Sequence, residues 1–135
     1  MRTIKRALII DDDEINNFIC VKNMKDLQFA EQASYCLKGQ EGLNQLKEML
    51  DSTPEDMPEA IFLDINMPMM NGWEFLEEYK NLAPQFSKEI KLFILTSSVY
   101  RKDMERSDTY AEVADYIVKP LDKTKIRNIQ EKHFQ

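Results

Sequence analysis

The chain has 135 residues and a mass of 15.9 kDa, enough to bury one core but too little for a catalytic domain beside a regulatory one, so a single domain over 1–135 is expected. Apolar residues make up 43% and charged residues 31%, a balance that excludes a disordered or fibrous chain. With 24 acidic against 18 basic residues the net charge is −6, and no basic block offsets it locally; direct binding to nucleic acid, which needs a concentrated positive surface, is not expected.

In chain order, the first apolar run is Ile4–Ile10, and it stops at Asp11, Asp12 and Asp13. Aspartates in that place, without a small-residue cleavage site, do not fit a signal peptide. No apolar stretch approaches the roughly 20 residues that span a bilayer, so a cytoplasmic protein with no membrane contact is expected. Ile15, Ile19, Cys20, Met24 and Leu27 are spaced as the inner face of a first helix, with Asp13 as its cap. Cys20 and Cys36 lie far apart without nearby histidines and read as ordinary reduced thiols. Glu31–Cys36 is a weaker strand, assigned by its position between helical stretches, and Leu43, Leu46 and Leu50 mark a second helix.

Ser52–Pro58 is short enough to be a loop within one domain. The run Ala60–Ile65 reads as a buried strand with Asp64 at its end. Met67, Met69 and Met70 around Pro68 read as a packed loop, since the soft ligands Cys and His are missing nearby. Asn71-Gly72 is a turn signal before a helix over Gly72–Asn81, with Trp73, Leu76 and Tyr79 on one face and Glu74, Glu77 and Glu78 on the other. Strands follow at Ile90–Leu95 and Ala114–Val118, and Ile126 with Ile129 indicates a last helix. The stretch Tyr100–Asp108 is poor in apolar residues, so a helix there would be weakly held, with Met104 as its main anchor. His133 reads as a solvated tail residue.

Strand alternating with helix implies a parallel sheet covered on both faces, and ligands of such sheets sit beyond the carboxyl ends of the strands. The polar residues of interest fall there: Asp11 and Asp12, then Asp64, then Thr96 with Ser97, then Lys119 before Pro120. Any one of them alone would be explained by capping or a turn; all of them together define one rim. Carboxylates brought within several ångströms repel strongly even in a protein-like dielectric, so a positive group must sit among them. An all-oxygen donor set suits a hard divalent cation such as Mg²⁺. Lys119 adds a fixed charge and Thr96 a hydroxyl, and a carboxylate facing both is suited to carrying a phosphoryl group as an acyl phosphate.

The segments ALIIDDDEINN, IFLDINMPMMNGWEF, LFILTSS and DYIVKPL, in this order and spacing, resemble the receiver domain of two-component response regulators over nearly the whole chain. That resemblance implies a flavodoxin-like, doubly wound, five-stranded parallel sheet of order 2-1-3-4-5 with helices on both faces. It implies that Asp64 accepts a phosphoryl group from a histidine kinase or His-phosphotransfer protein. Mg²⁺ would be held by Asp12 directly, by Asp11 mainly through water, by Asp64 and by the Asn66 carbonyl. Thr96 and Lys119 would contact the phosphoryl oxygens, Tyr116 would be the aromatic switch partner of Thr96, Lys119-Pro120 would be cis, and Asn66 and Ser98 would tune the lifetime of the mark. The output would be a protein target, or self-association, at the face of the fourth helix, fifth strand and fifth helix. Glu112 stands where the family usually has glycine, which leads to the expectation of a wider turn before the fifth strand.

Two other functions fit parts of the pattern. A Mg²⁺-dependent phosphohydrolase with an aspartyl-phosphate intermediate would often carry a second acid two positions after its nucleophile, where this chain has Asn66, and would need room for a substrate cap. An unphosphorylated scaffold of the same fold would normally have lost Asp64, the acidic pair or Lys119, and none is lost. The expectation is therefore a stand-alone switch, not an enzyme, whose chemistry is limited to its own phosphorylation and dephosphorylation.

Overall fold

The computed structural model describes residues 1–135. Strands β1 (Ile4–Ile10), β2 (Ala30–Cys36), β3 (Ala60–Leu63), β4 (Lys91–Thr96) and β5 (Val113–Val118) alternate with helices α1 (Glu14–Asp26), α2 (Gly39–Ser52), α3 (Gly72–Leu82), α4 (Arg101–Asp108) and α5 (Lys123–His133). The sheet is parallel throughout, in the order β2-β1-β3-β4-β5. Its chain reversal between β2-β1 and β3-β4-β5 is the switch point that the alternating pattern predicts.

Burial follows position in the sheet. Central β3 is apolar at all four residues because both of its faces are covered, whereas edge strand β2 mixes buried and exposed positions. One core layer packs Leu8, Ile10, Leu63 and Ile94 against Leu43 and Leu46 of α2 and Phe75, Leu76 and Tyr79 of α3. The other packs Ile9, Phe62, Phe93 and Leu95 against Cys20 and Met24 of α1 and Ile126 and Ile129 of α5. Both cysteines are buried free thiols whose acidity is suppressed by burial, Cys20 to about 11 and Cys36 to about 12. Three helices start on side-chain caps: Asp13 accepts from the Asn16 amide, Asp122 from the Lys125 amide, and Asn71 forms a reciprocal box with Glu74.

Several sequence expectations are corrected. Ile15 and Ile19 do not face the core: they are 74% and 51% exposed, and Asn17, Cys20 and Met24 form the inner face of α1. The helix is rotated because the Asn17 amide reaches in to donate to the Asp11 carbonyl at 2.8 Å. Met104 lies outward, and Ser107 is the buried residue of α4. Met69 is exposed at a positive φ of 67°, so only Met67 and Met70 pack. The turn at Glu112 is tight, not wide: the Val113 amide donates to the Tyr110 carbonyl at 3.2 Å, and the irregularity falls one residue later, where Leu92 pairs with Val113 but Phe93 with Asp115. His133 is no solvated tail residue. Its ring lies edge-on against buried Phe93 at 5.1 Å and its Nε2 lies 3.3 Å from Asp115, because Phe134 beyond it plugs the core beside Phe29 and Phe93 and draws the end of α5 inward.

Candidate functional site

The carboxyl ends of β1, β3, β4 and β5 converge on one rim. Asp11 leaves β1 with its amide bonded to the Cys36 carbonyl, and the Asp64 amide extends the β1–β3 ladder by donating to the Ile10 carbonyl at 2.9 Å. These bonds bring the two aspartates side by side although 53 positions separate them (64 − 11). Lys119 is set by its amide, which donates to the Thr96 carbonyl at 2.8 Å, and by the cis Lys119-Pro120 peptide that follows.

Oxygen atoms of Asp11, Asp12 and Asp64 all lie within 4.8 Å of one another; Asp11 and Asp64 are buried and Asp12 is exposed. The Lys119 ammonium is 2.7 Å from Asp11 Oδ2 and 3.6 Å from Asp64 Oδ2. Asp11 also accepts from the Asp13 amide at 3.0 Å and from Asn16 Nδ2 at 3.1 Å, and Asp64 Oδ1 accepts from the Asn66 amide at 3.1 Å. Burial, reinforced by the charge of Asp11, pushes the Asp64 carboxyl up to about 6 despite the Asn66 amide and Lys119. Burial works against the Lys119 charge, but its bond to Asp11 and the nearby Asp64 carboxylate outweigh that and raise its pKa.

One ammonium among three carboxylates leaves the rim short of positive charge. The donors are oxygens only, two sheltered and one open to solvent, which fits a hard cation that keeps part of its water shell. Asp64 Oδ2 lies 3.6 Å from the Lys119 ammonium, and an aspartate oxygen of this kind can serve as a nucleophile.

Thr96 is fully buried, and its hydroxyl accepts from the Ser98 amide at 3.2 Å and from Asn66 Nδ2 at 3.4 Å. Tyr116 donates its hydroxyl to the Ser98 carbonyl at 2.9 Å, so Thr96 and Tyr116 meet through residue 98. Asn66 and Ser98 thus touch Thr96 directly, and Tyr116 reaches it through Ser98. The pattern did not single out Asn16 or Asn17, and it marked Gly72 only as part of a turn signal. The two asparagines hold Asp11 from the first turns of α1, and their signal was their position directly after the aspartates. Gly72 carries the β3–α3 loop close to the acceptor: a Cβ there would lie 2.6 Å from Ile65 Cα and 2.9 Å from the Asp64 carbonyl.

A 2-1-3-4-5 parallel sheet with an acidic cluster, a lysine and a threonine at its carboxyl rim defines a doubly wound, flavodoxin-like domain with its site at the switch point. The family model described as the response regulator receiver domain matches residues 7–131, and the chain belongs to that family. It is similar to a two-component response regulator from Cytophaga hutchinsonii, with a TM-score of 0.87 and 29% identity over 97% of each chain. It is 26% identical to the chemotaxis protein CheY of Thermotoga maritima over 90% of this chain and 91% of that protein. It is also 26% identical to the hybrid signal transduction histidine kinase L of Dictyostelium discoideum over 98% of this chain, which spans only 7% of that protein's length. Receiver domains are signalling switches of two-component systems that bind Mg²⁺ at an acidic pocket, and relatives carry them alongside histidine kinases. No helix here is long and apolar enough to cross a membrane.

Proposed function

We propose that this chain is a phosphorylation-dependent switch, a cytoplasmic receiver forming one domain over 1–135, in which Asp64 accepts a phosphoryl group with Mg²⁺ held by Asp11, Asp12, Asp64 and the Asn66 carbonyl. The observation that carries the reading is the pairing of Asp64, a buried carboxylate with a raised pKa, with two further aspartates within 4.8 Å and a lysine ammonium at 3.6 Å. The carboxylate attacks phosphorus, and the bond from phosphorus to the donor's leaving group breaks. Mg²⁺ held by these residues would supply neutralising charge for the transfer. Lys119 and Thr96 donate to the phosphoryl oxygens. Asn66 and Ser98 set how readily water reaches the acyl phosphate.

The phosphodonor is a histidine kinase or His-phosphotransfer protein. Exposed Ile15, Phe18 and Ile19 on α1, with Met69 on the loop after β3, give the site an apolar surround for such a partner to cover. The output surface is α4, β5 and α5, read by a protein target or a second copy. Incubation of the chain with acetyl phosphate and Mg²⁺, followed by intact-mass measurement, tests the reading. One phosphoryl group should add to the wild type and none to Asp64→Asn; equal labelling of both would refute it.

A further inference from the structure

Helix α4 has one buried residue, Ser107, so apolar packing does little to position it. Its two ends are held by different groups. At the N-terminal end, Asp103 accepts from Ser98 Oγ at 2.6 Å, and the Tyr100 amide donates to the same hydroxyl at 3.3 Å. The amide of Ser98 in turn donates to Thr96 Oγ1. This end therefore hangs on the hydroxyl of a residue whose own amide is bonded to Thr96.

The C-terminal end is bound to α3 by two stacked rings with a cation at each end. The Arg106 guanidinium lies 4.7 Å from the centroid of the Trp73 ring. Trp73 stacks on Tyr110 with centroids 6.0 Å apart and planes 17° from parallel. The Tyr110 hydroxyl donates to Glu77 at 2.6 Å, and Lys80, 3.2 Å from Glu77, lies 5.6 Å from the Tyr110 centroid. Cation–ring contacts and offset aromatic pairs are favourable beyond the area they bury, more so when partly desolvated, as at Trp73. Trp73 itself cannot drift. Gly72 before it donates its amide to the Ile65 carbonyl at 3.1 Å, and no space separates that backbone from the end of β3.

We propose that the Arg106–Trp73–Tyr110 stack is a fixed pivot for α4, so that occupation of the acceptor swings the N-terminal end of α4, with exposed Val99 and Tyr100, while residues 106–110 stay seated on α3. The inference rests on Asp64 being the acceptor. Its physical basis is the contrast between the two ends: hydroxyl-mediated bonds that reach Thr96 at one, a ring stack fastened to rigid backbone at the other. A two-state element biased at one end and anchored at the other rotates.

Hydrogen exchange on the full chain tests it, with and without beryllofluoride and Mg²⁺, on wild type, Arg106→Ala, Arg106→Lys and Tyr110→Phe. Without ligand, Arg106→Ala should speed exchange of the Thr109 and Tyr110 amides tenfold or more and change the emission of Trp73, the single tryptophan. Arg106→Lys, which keeps a cation over the ring, should restore most of both. Tyr110→Phe should give an intermediate loss. With ligand, wild type should change at 97–104 and not at 106–110, and in Arg106→Ala the change should spread through 110. Unchanged ligand-free exchange in Arg106→Ala overturns the stack as an anchor. Equal ligand-induced changes at 97–104 and 106–110 in wild type overturn the pivot. A wild type whose amides at 64–66 and 97–104 ignore beryllofluoride refutes the acceptor reading and the pivot with it, while the ligand-free results still judge the anchor separately.

Discussion

The Lys119 ammonium is bonded to Asp11 at 2.7 Å and stands 3.6 Å from Asp64. The one cation of the rim is thus committed to an aspartate proposed for the metal, not to the acceptor. On the proposed assignment Mg²⁺ and Lys119 would compete for Asp11, since a second positive charge a few ångströms away weakens metal binding even when screened.

From this competition Lys119→Ala should bind Mg²⁺ several-fold more tightly than wild type, although it loses phosphorylation. Asp12→Ala should weaken Mg²⁺ binding tenfold or more, and with it the rise in melting temperature that Mg²⁺ produces by mass action. Titration calorimetry and melting curves measure both effects. Weaker binding in Lys119→Ala would show that the ammonium and the metal do not compete.

Asp64 sets a pH dependence. Its carboxyl is raised to about 6 in the folded chain from an ordinary value of 3.8, so between those values the folded state holds the extra proton. Stability contributed by this group is present at low pH and is lost as pH rises through about 6. Asp64→Asn should therefore be more stable than wild type at pH 7 to 8 without Mg²⁺, by on the order of 1–3 kcal/mol, with the difference shrinking toward pH 4. Paired urea titrations across pH check this. A difference independent of pH would assign the effect to something other than the carboxyl proton.

The acyl phosphate should be short-lived. Asn66 and Ser98 both line an open cleft of about 460 Å³, and both are small enough to admit water. Asn66→Arg and Ser98→Tyr should each slow dephosphorylation several-fold or more after removal of donor, as followed by loss of the phosphorylated mass. Identical decay in all three proteins would mean that neither side chain governs water access.

Gly72→Ala should destabilise the chain although the helix after it favours alanine. The added Cβ meets Ile65 Cα at 2.6 Å and the Asp64 carbonyl at 2.9 Å, both backbone, so the loop or the start of α3 must move. A cost of about 1–3 kcal/mol is expected from overpacking of this kind, together with slower phosphorylation because Asp64 is displaced. Unchanged stability in a denaturant titration would show that the loop yields freely.

The strands, the helix α3 and the rim residues were legible in the sequence because they rest on local chemistry and order. Apolar runs of strand length alternate with helical spacing, and an acid, a hydroxyl or a lysine follows each run that points at the site. Asp13 and Asn71 announced their helix starts because capping is a contact between residues three positions apart. What the sequence could not decide depends on partners far along the chain. The face that α1 buries is set by Asn17 reaching the Asp11 carbonyl, which leaves Ile15 and Ile19 outside. The anchoring of α4 is set by Trp73 and Tyr110, since Arg106 lies 33 positions from the ring that holds it (106 − 73). The enclosure of His133 follows from Phe134 entering the core beside Phe29, 105 positions away in the chain (134 − 29). Periodicity reports which residues are apolar, but only the packed tertiary structure decides which of them the rest of the chain covers, because burial is a property of the neighbours and not of the residue alone.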